Sequence, residues 1–178
     1  MPFEIEREFA RLYGIPCWDV HWDCDTGLRL NFGVPHLDVQ EPLAKEPRPG
    51  KRDLLRIYRQ VWVHGDWKLW VDGHWKLTLR DIPPVRGSSS IRQILPGLAR
   101  LDGQQLTGLE IDQHSAFTRF VFDLGAVLEV RRLDRGGQDD LWELLTPEDR
   151  TLTVRGNGTY SFDRRYVQKR SWRPIERV

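Results

Sequence analysis

Two stretches of this chain repeat each other, and a repeat restricts the possible folds more than any other sequence feature. Residues 14–39 read GIPCWDVHWDCDTGLRLNFGVPHLDV and residues 103–130 read GQQLTGLEIDQHSAFTRFVFDLGAVLEV. Gly14 matches Gly103, Val20 matches Leu109, Trp22 matches Ile111 and Asp23 matches Asp112. One extra residue in the first turn brings Arg29 onto Arg119, Leu30 onto Phe120 and Phe32 onto Phe122. A second brings Leu37 onto Leu128, Asp38 onto Glu129 and Val39 onto Val130. Both length changes fall in expected turns, where they are tolerated. WKLTLR (75–80) likewise matches RTLTVR (150–155). The chain is expected to be a single domain, 1–178, with similar halves at 14–80 and 103–163 and a basic tail at 164–178.

Apolar residues alternating at period two mark strands. They place strands near 16–23, 27–33, 36–40, 55–64, 67–71 and 74–80, then near 104–112, 116–123, 126–133, 140–145, 150–155 and 159–163. Residues 3–13 read as an amphipathic helix with Phe3, Phe9 and Leu12 on one face, stopped by Gly14. EPLAKEPRPGKRD (41–53) is a proline-rich loop. RDIPPVRGSSS (80–90) is a second linker whose serines can cap a helix at about 90–100. The fold class is therefore α+β, predominantly antiparallel β. It comprises two similar β-meander repeats, an N-terminal helix and a linking helix. A twisted sandwich and one continuous sheet with helices on one side both satisfy this pattern.

RIYRQVWVHGDWKLWVDGHWKLTLR (56–80) holds four of the eight tryptophans. Gly65-Asp66 and Asp72-Gly73 read as two-residue hairpin turns, and counting outward from them fixes the pairing. Val63 would face Lys68, Trp62 would face Leu69, and Trp70 would pair with both Val61 and Trp75. One face then carries Val61, Val63, Lys68, Trp70, Trp75, Leu77 and Leu79 and reads as core. The other carries Trp62, His64, Trp67, Leu69, Val71 and His74. An aromatic patch with polar neighbours suits a protein partner or a ligand, unless the N-terminal helix or the other repeat covers this face and satisfies each indole N–H locally. The expected partner-binding residues are Trp62, His64, Trp67 and His74, with the repeat-equivalent Arg29 and Arg119. Those two arginines could instead pair with Asp38 or Glu129 on a neighbouring strand.

The remaining motifs exclude more than they assign. The 178 residues are enough to bury a core without disulfides, and a formal net charge of +1 creates no field that draws in nucleic acid or acidic membranes. The acidic start MPFEIEREFARLYG is unlike an export signal. No stretch approaches a membrane span, and two cysteines do not make a disulfide framework. A cytoplasmic setting is expected. Cys17, His21, Cys24 and His36 lack zinc spacing, and strand parity turns Cys24 away from Cys17 and His21. No metal or cofactor is expected. There is no nucleophile elbow, RGSSS and RGNG lack the lysine of a phosphate loop, and QHS (113–115) sits in a turn. The acids Asp23/Asp25 and Glu110/Asp112 read as turn caps. Catalysis is therefore not expected.

The tail RRYVQKRSWRPIERV carries six Lys/Arg against one Glu. Arg164, Arg165, Lys169, Arg170, Trp172 and Arg173 mix basic and aromatic side chains, as single-strand nucleic-acid binders do. A solvated tail or a strand docked on the barrel edge is the competing reading. GQQLTGLEID, FTRFVFDLGAVLEV, LTVRGNGTYS and GDWKLWVDGHWKL together resemble a group of small bacterial β-rich proteins across roughly 14–163. Proteins of this general appearance are similar to immunity proteins that neutralise partner toxins. The shared motifs are turns and core positions, so the resemblance carries no catalytic residues. It implies a non-enzymatic protein-binding module, with nucleic-acid association through the tail as the alternative.

Overall fold

Strands account for nearly half of the described residues in a computed structural model, which describes residues 1–23, 27–42, 59–132 and 139–175. In chain order the elements are α1 (Phe3–Ala10), β1 (Cys17–Asp23), β2 (Gly27–Phe32), β3 (His36–Gln40), β4 (Gln60–His64), β5 (Trp67–Val71), β6 (His74–Thr78) and β7 (Val85–Arg86). Then follow α2 (Ile91–Leu101), β8 (Leu106–Ile111), β9 (Thr118–Phe122), β10 (Val127–Arg131), β11 (Asp140–Leu145), β12 (Arg150–Arg155), β13 (Thr159–Arg164) and β14 (Arg173–Pro174). The architecture is α+β with antiparallel β predominating. Cys24, Asp25, most of the 41–53 loop and the start of the strand expected at 55–64 lie outside the described residues. So do residue 133, where the third strand of the second half was expected to end, and the last three residues of the tail.

Alternation decides which side of each strand is buried. Leu28, Leu30 and Phe32 of β2, Leu69 and Val71 of β5, and Leu152 and Val154 of β12 point inward from a seven-stranded sheet of order β1-β2-β5-β11-β12-β13-β14. Trp75 and Leu77 of β6, Phe120 and Phe122 of β9, and Leu128 and Val130 of β10 point inward from a five-stranded sheet, β7-β6-β10-β9-β8. These side chains form one core, so the sheets make a sandwich. Each sheet combines strands from both halves of the sequence: β5 pairs with β11, and β6 pairs with β10. Helix α1 contributes Ile5 and Phe9 to the core, and α2 contributes Ile94, Leu98 and Leu101. Phe9 lies 5.9 Å from Phe120 and 5.6 Å from Trp142, so α1 bridges the two sheets. Burying each such side chain contributes roughly 1.5–3 kcal/mol. Phe3 departs from the expected helix face and is exposed, with the Arg7 guanidinium 5.7 Å from its ring. Ser90 N-caps α2, where its backbone N–H and hydroxyl both donate to Gln93 Oε1.

The two expected hairpins do not form. β4 pairs with β3 instead of β5, and β6 pairs with β7 and β10 instead of β5. The corners explain why. Asp66 does not close a turn on its own strand. Its carboxylate accepts hydrogen bonds from the Val34 N–H and from His36 Nε2, both at 2.7 Å, tying the corner to the β2–β3 connection. Gly65 passes so close to the Phe32 backbone that a Cβ there would collide with it. At the second corner the N–H groups of Asp72 and Gly73 donate to Leu141 O at 2.9 and 3.0 Å, so β11 takes the donors that a hairpin would use. The expected Trp70–Trp75 pair is therefore absent. Trp75 is in the core, while Trp70 lies on the outer face of the seven-stranded sheet beside Arg29.

The strands aligned by the repeat correspond only in part. β1–β2 and β8–β9 are both antiparallel pairs with an irregularity early in the first strand. Gly14 and Gly103 both adopt positive φ, +81° and +87°. Beyond that the halves diverge: β10 stays beside β9, whereas β3 leaves its sheet to join β4. The first half is therefore not a meander of sequential neighbours.

Candidate functional site

The β3–β4 ribbon stands apart from both sheets of the sandwich. Its register pairs His36 with His64, Leu37 with Val63, Asp38 with Trp62 and Val39 with Val61. Directly paired residues share a face. One face is therefore aliphatic, with Leu37, Val39, Val61 and Val63 exposed by 70, 46, 53 and 47%. The opposite face presents His36, Asp38, Trp62 and His64. It borders a cleft of about 870 Å³ against the outer face of the seven-stranded sheet, and Val61 and Val63 touch the cleft as well. The base of the ribbon is fixed by Asp66. Hydrogen bonds from His36, then from the Val34 N–H, hold the Asp66 carboxyl below the usual aspartate range. Buried Asn31 completes the anchor, accepting from the Gly65 N–H at 3.1 Å and donating to Asp19 Oδ2 at 3.1 Å. The His36 and His64 rings lie 5.6 Å apart.

The cleft carries four cations alongside four aspartates, Asp19, Asp38, Asp66 and Asp149. Arg29 and Lys68 rise from β2 and β5 and flank the Trp70 ring, 5.3 and 5.8 Å from its centre. Arg150 and Arg165 border the other side. Burial, followed by the charges of Arg165 and Arg29, lowers the Lys68 pKa. Arg29 Nε and Trp70 Nε1 are buried without an acceptor among the described residues.

The structure brings together three of the six residues expected at a partner site. Arg29, Trp62 and His64 border this cleft. Trp67 faces the other way, packed against the core with the Arg11 guanidinium 5.2 Å from its ring. His74 lies in a second cleft, of about 770 Å³, with Asp72, Lys76 and Arg86. There the Asp72 carboxyl, although its surface reaches solvent, is pushed up to about 6 by partial burial and by Glu143 and Asp140. Arg119 is on the outer face of the five-stranded sheet, bonded to Glu110 at 2.6 Å and 3.8 Å from Glu129. It follows the structural pairing anticipated for it, whereas Arg29 makes no ion pair with Asp38. Lys68, Asp66 and the four ribbon aliphatics were not anticipated as surface features. The false hairpin had placed Val61, Val63 and Lys68 in the core.

Other candidates resolve individually. Cys17 is buried and its thiol donates to Leu101 O at 3.2 Å. Asp112 caps its turn, accepting from the His114 and Ser115 N–H groups and the Ser115 hydroxyl. The tail divides. Arg170 bonds Asp140 and Glu143, Arg173 bonds Glu4, and Trp172 stacks 3.4 Å under Arg155. β14 docks on the edge of β13. Arg164, Arg165 and Lys169 make no ion pair among the described residues, and Tyr166 beside them is 83% exposed. No helix among the described residues is long and apolar enough to cross a membrane. No protein-family model, no curated protein and no solved structure matches this chain.

Proposed function

We propose that this chain is a non-enzymatic protein-binding module that engages its partner through the β3–β4 ribbon. The observation that supports the reading is the aliphatic face of Leu37, Val39, Val61 and Val63, turned outward on a ribbon that belongs to neither sheet of the sandwich. Contiguous exposed apolar surface of this kind is characteristic of interfaces. Trp62, 45% exposed on the ribbon's other face, is the type of residue that anchors an interface. The finer form of the proposal rests on the resemblance to immunity proteins: the partner is a toxin, bound one to one. The two similar halves belong to this reading as a duplicated scaffold in which only the first copy released its third strand to make the ribbon.

The nucleic-acid reading is second, because Arg170, Trp172 and Arg173 are already occupied within the protein. To test the main reading, a partner recovered from the source organism is purified and titrated against wild type, Trp62→Ala and a Leu37→Ser/Val63→Ser double variant. A one-to-one complex weakened by about 2 kcal/mol or more in the variants is expected. Unchanged affinity in folded variants contradicts the site. Dimerisation of the isolated chain through the ribbon contradicts a separate partner.

A further inference from the structure

Independently of protein docking, we propose that the cleft beneath the ribbon is an oxyanion-binding site, in which Arg29, Lys68 and Arg165 hold the phosphate or carboxylate group of a small ligand. The observation is one of cations left without ion-pair partners among the described residues. On the outer faces of the two sheets Lys76 pairs with Glu129, Arg119 with Glu110 and Arg155 with Asp140, and Arg170 of the tail pairs with Glu143. In the cleft, none of Arg29, Lys68, Arg150 and Arg165 forms an ion pair among the described residues. Arg29 and Lys68 share one indole, and Arg165 is near enough for its charge to act on Lys68. Like charges gathered in a partly desolvated cleft destabilise one another, and an anion entering between them relieves that cost.

The carboxylates present do not fill this role. Asp66 is engaged by His36 and the Val34 N–H, and Asp19 accepts from Asn31. Asp38 and Asp149 also border the cleft and form no ion pair with these cations, although the charges of Asp19 and Asp38 partly offset those of Arg165 and Arg29 at Lys68. Donor geometry suits an oxyanion. Arg29 Nε is buried and lacks an acceptor, and a guanidinium edge matches two oxygens of one phosphate or carboxylate. Arg150 is already anchored, stacked 3.7 Å over Phe162 and donating to its carbonyl, so it serves as the rim. At about 870 Å³ the cleft accommodates an organic ligand beyond its anionic group, with Trp62 beside it.

Isothermal titration of the full chain with inorganic pyrophosphate and, separately, with citrate tests this directly. One of the two is expected to bind one to one. Pyrophosphate alone identifies a phosphate ligand, and citrate alone a carboxylate ligand. Arg29→Gln and Lys68→Gln should each weaken the bound probe about tenfold or more. Arg165→Gln lies at the cleft border and keeps the test sound if an inner variant misfolds. Arg92→Gln, on the exposed side of α2, should bind like wild type. Absence of binding by both probes overturns the proposal, as does equal loss in Arg92→Gln or no loss in the three cleft variants.

Discussion

Trp142 Nε1 donates to the Thr118 hydroxyl at 2.9 Å, joining the seven-stranded sheet to the five-stranded one within the core. Both residues are fully buried, and the Thr118 hydroxyl passes the bond on to Ala116 O at 2.9 Å. Thr118→Val keeps the shape but strands the indole N–H, so a loss of about 1–3 kcal/mol is expected in urea unfolding. Trp142→Ala also removes the edge contacts with Phe9 and Phe120 and should cost about 3–5 kcal/mol. A Thr118→Val protein as stable as wild type contradicts this account of the sandwich.

Asp66 should control the ribbon more than the sandwich. Asp66→Ala removes the acceptor of both the Val34 and the His36 bonds. Amides of 36–40 and 60–64 should then exchange faster with deuterium, while the protection of β9 and β12 stays as it was. The native pKa of Asp66 is lowered, so its contribution is present above the ordinary aspartate pKa and is lost as pH falls through the lowered value. The ribbon of the wild type should accordingly loosen in acid before the core does.

Asp72 works in the opposite direction. Its native carboxyl titrates at about 6, against about 4 in an unfolded chain. Between those values the native state binds the extra proton, so this group favours folding at low pH and the advantage fades as pH rises through the window. Asp72→Asn should raise the melting temperature at neutral pH and flatten the dependence between pH about 4 and 6. A carboxyl resonance for Asp72 titrating in the ordinary aspartate range contradicts the assignment.

Cys17 should be chemically silent in the folded protein. Burial, with Asp102 adding to it, pushes the thiol up to about 12. Iodoacetamide at pH about 8 should leave Cys17 unmodified until urea is added. Fragment-ion sequencing of the peptide 12–29, which carries both cysteines, reads Cys17 separately from Cys24. Rapid labelling under native conditions contradicts the buried position.

Strand locations were legible because alternation is a local property. HLDVQ at 36–40, WKLWV at 67–71 and RTLTVR at 150–155 form strands at those positions. Strand partners were not legible, because the turn signals could not reveal distant competitors for the same groups. Asp66 is held by Val34 and His36, and the Asp72–Gly73 amides by Leu141. Misreading the first of these turns reversed β4 and made Val61 and Val63 look buried. The sign was present in HLDVQ and QVWVH, two five-residue strands with matching parity on either side of one loop. For the site, Arg29, Trp62 and His64 converge as their residue types had hinted, while Trp67 packs against the core and His74 and Arg119 go to two other surfaces.

The most direct test of the docking account is hydrogen–deuterium exchange of the chain alone and in its one-to-one complex with the recovered partner. Docking through the ribbon predicts new protection concentrated in 36–40 and 60–64, with little change on the outer face of β8 and β9. Protection confined to β8 and β9 or to the tail from Arg164 onward, with the ribbon exchanging as it does in the free chain, contradicts it.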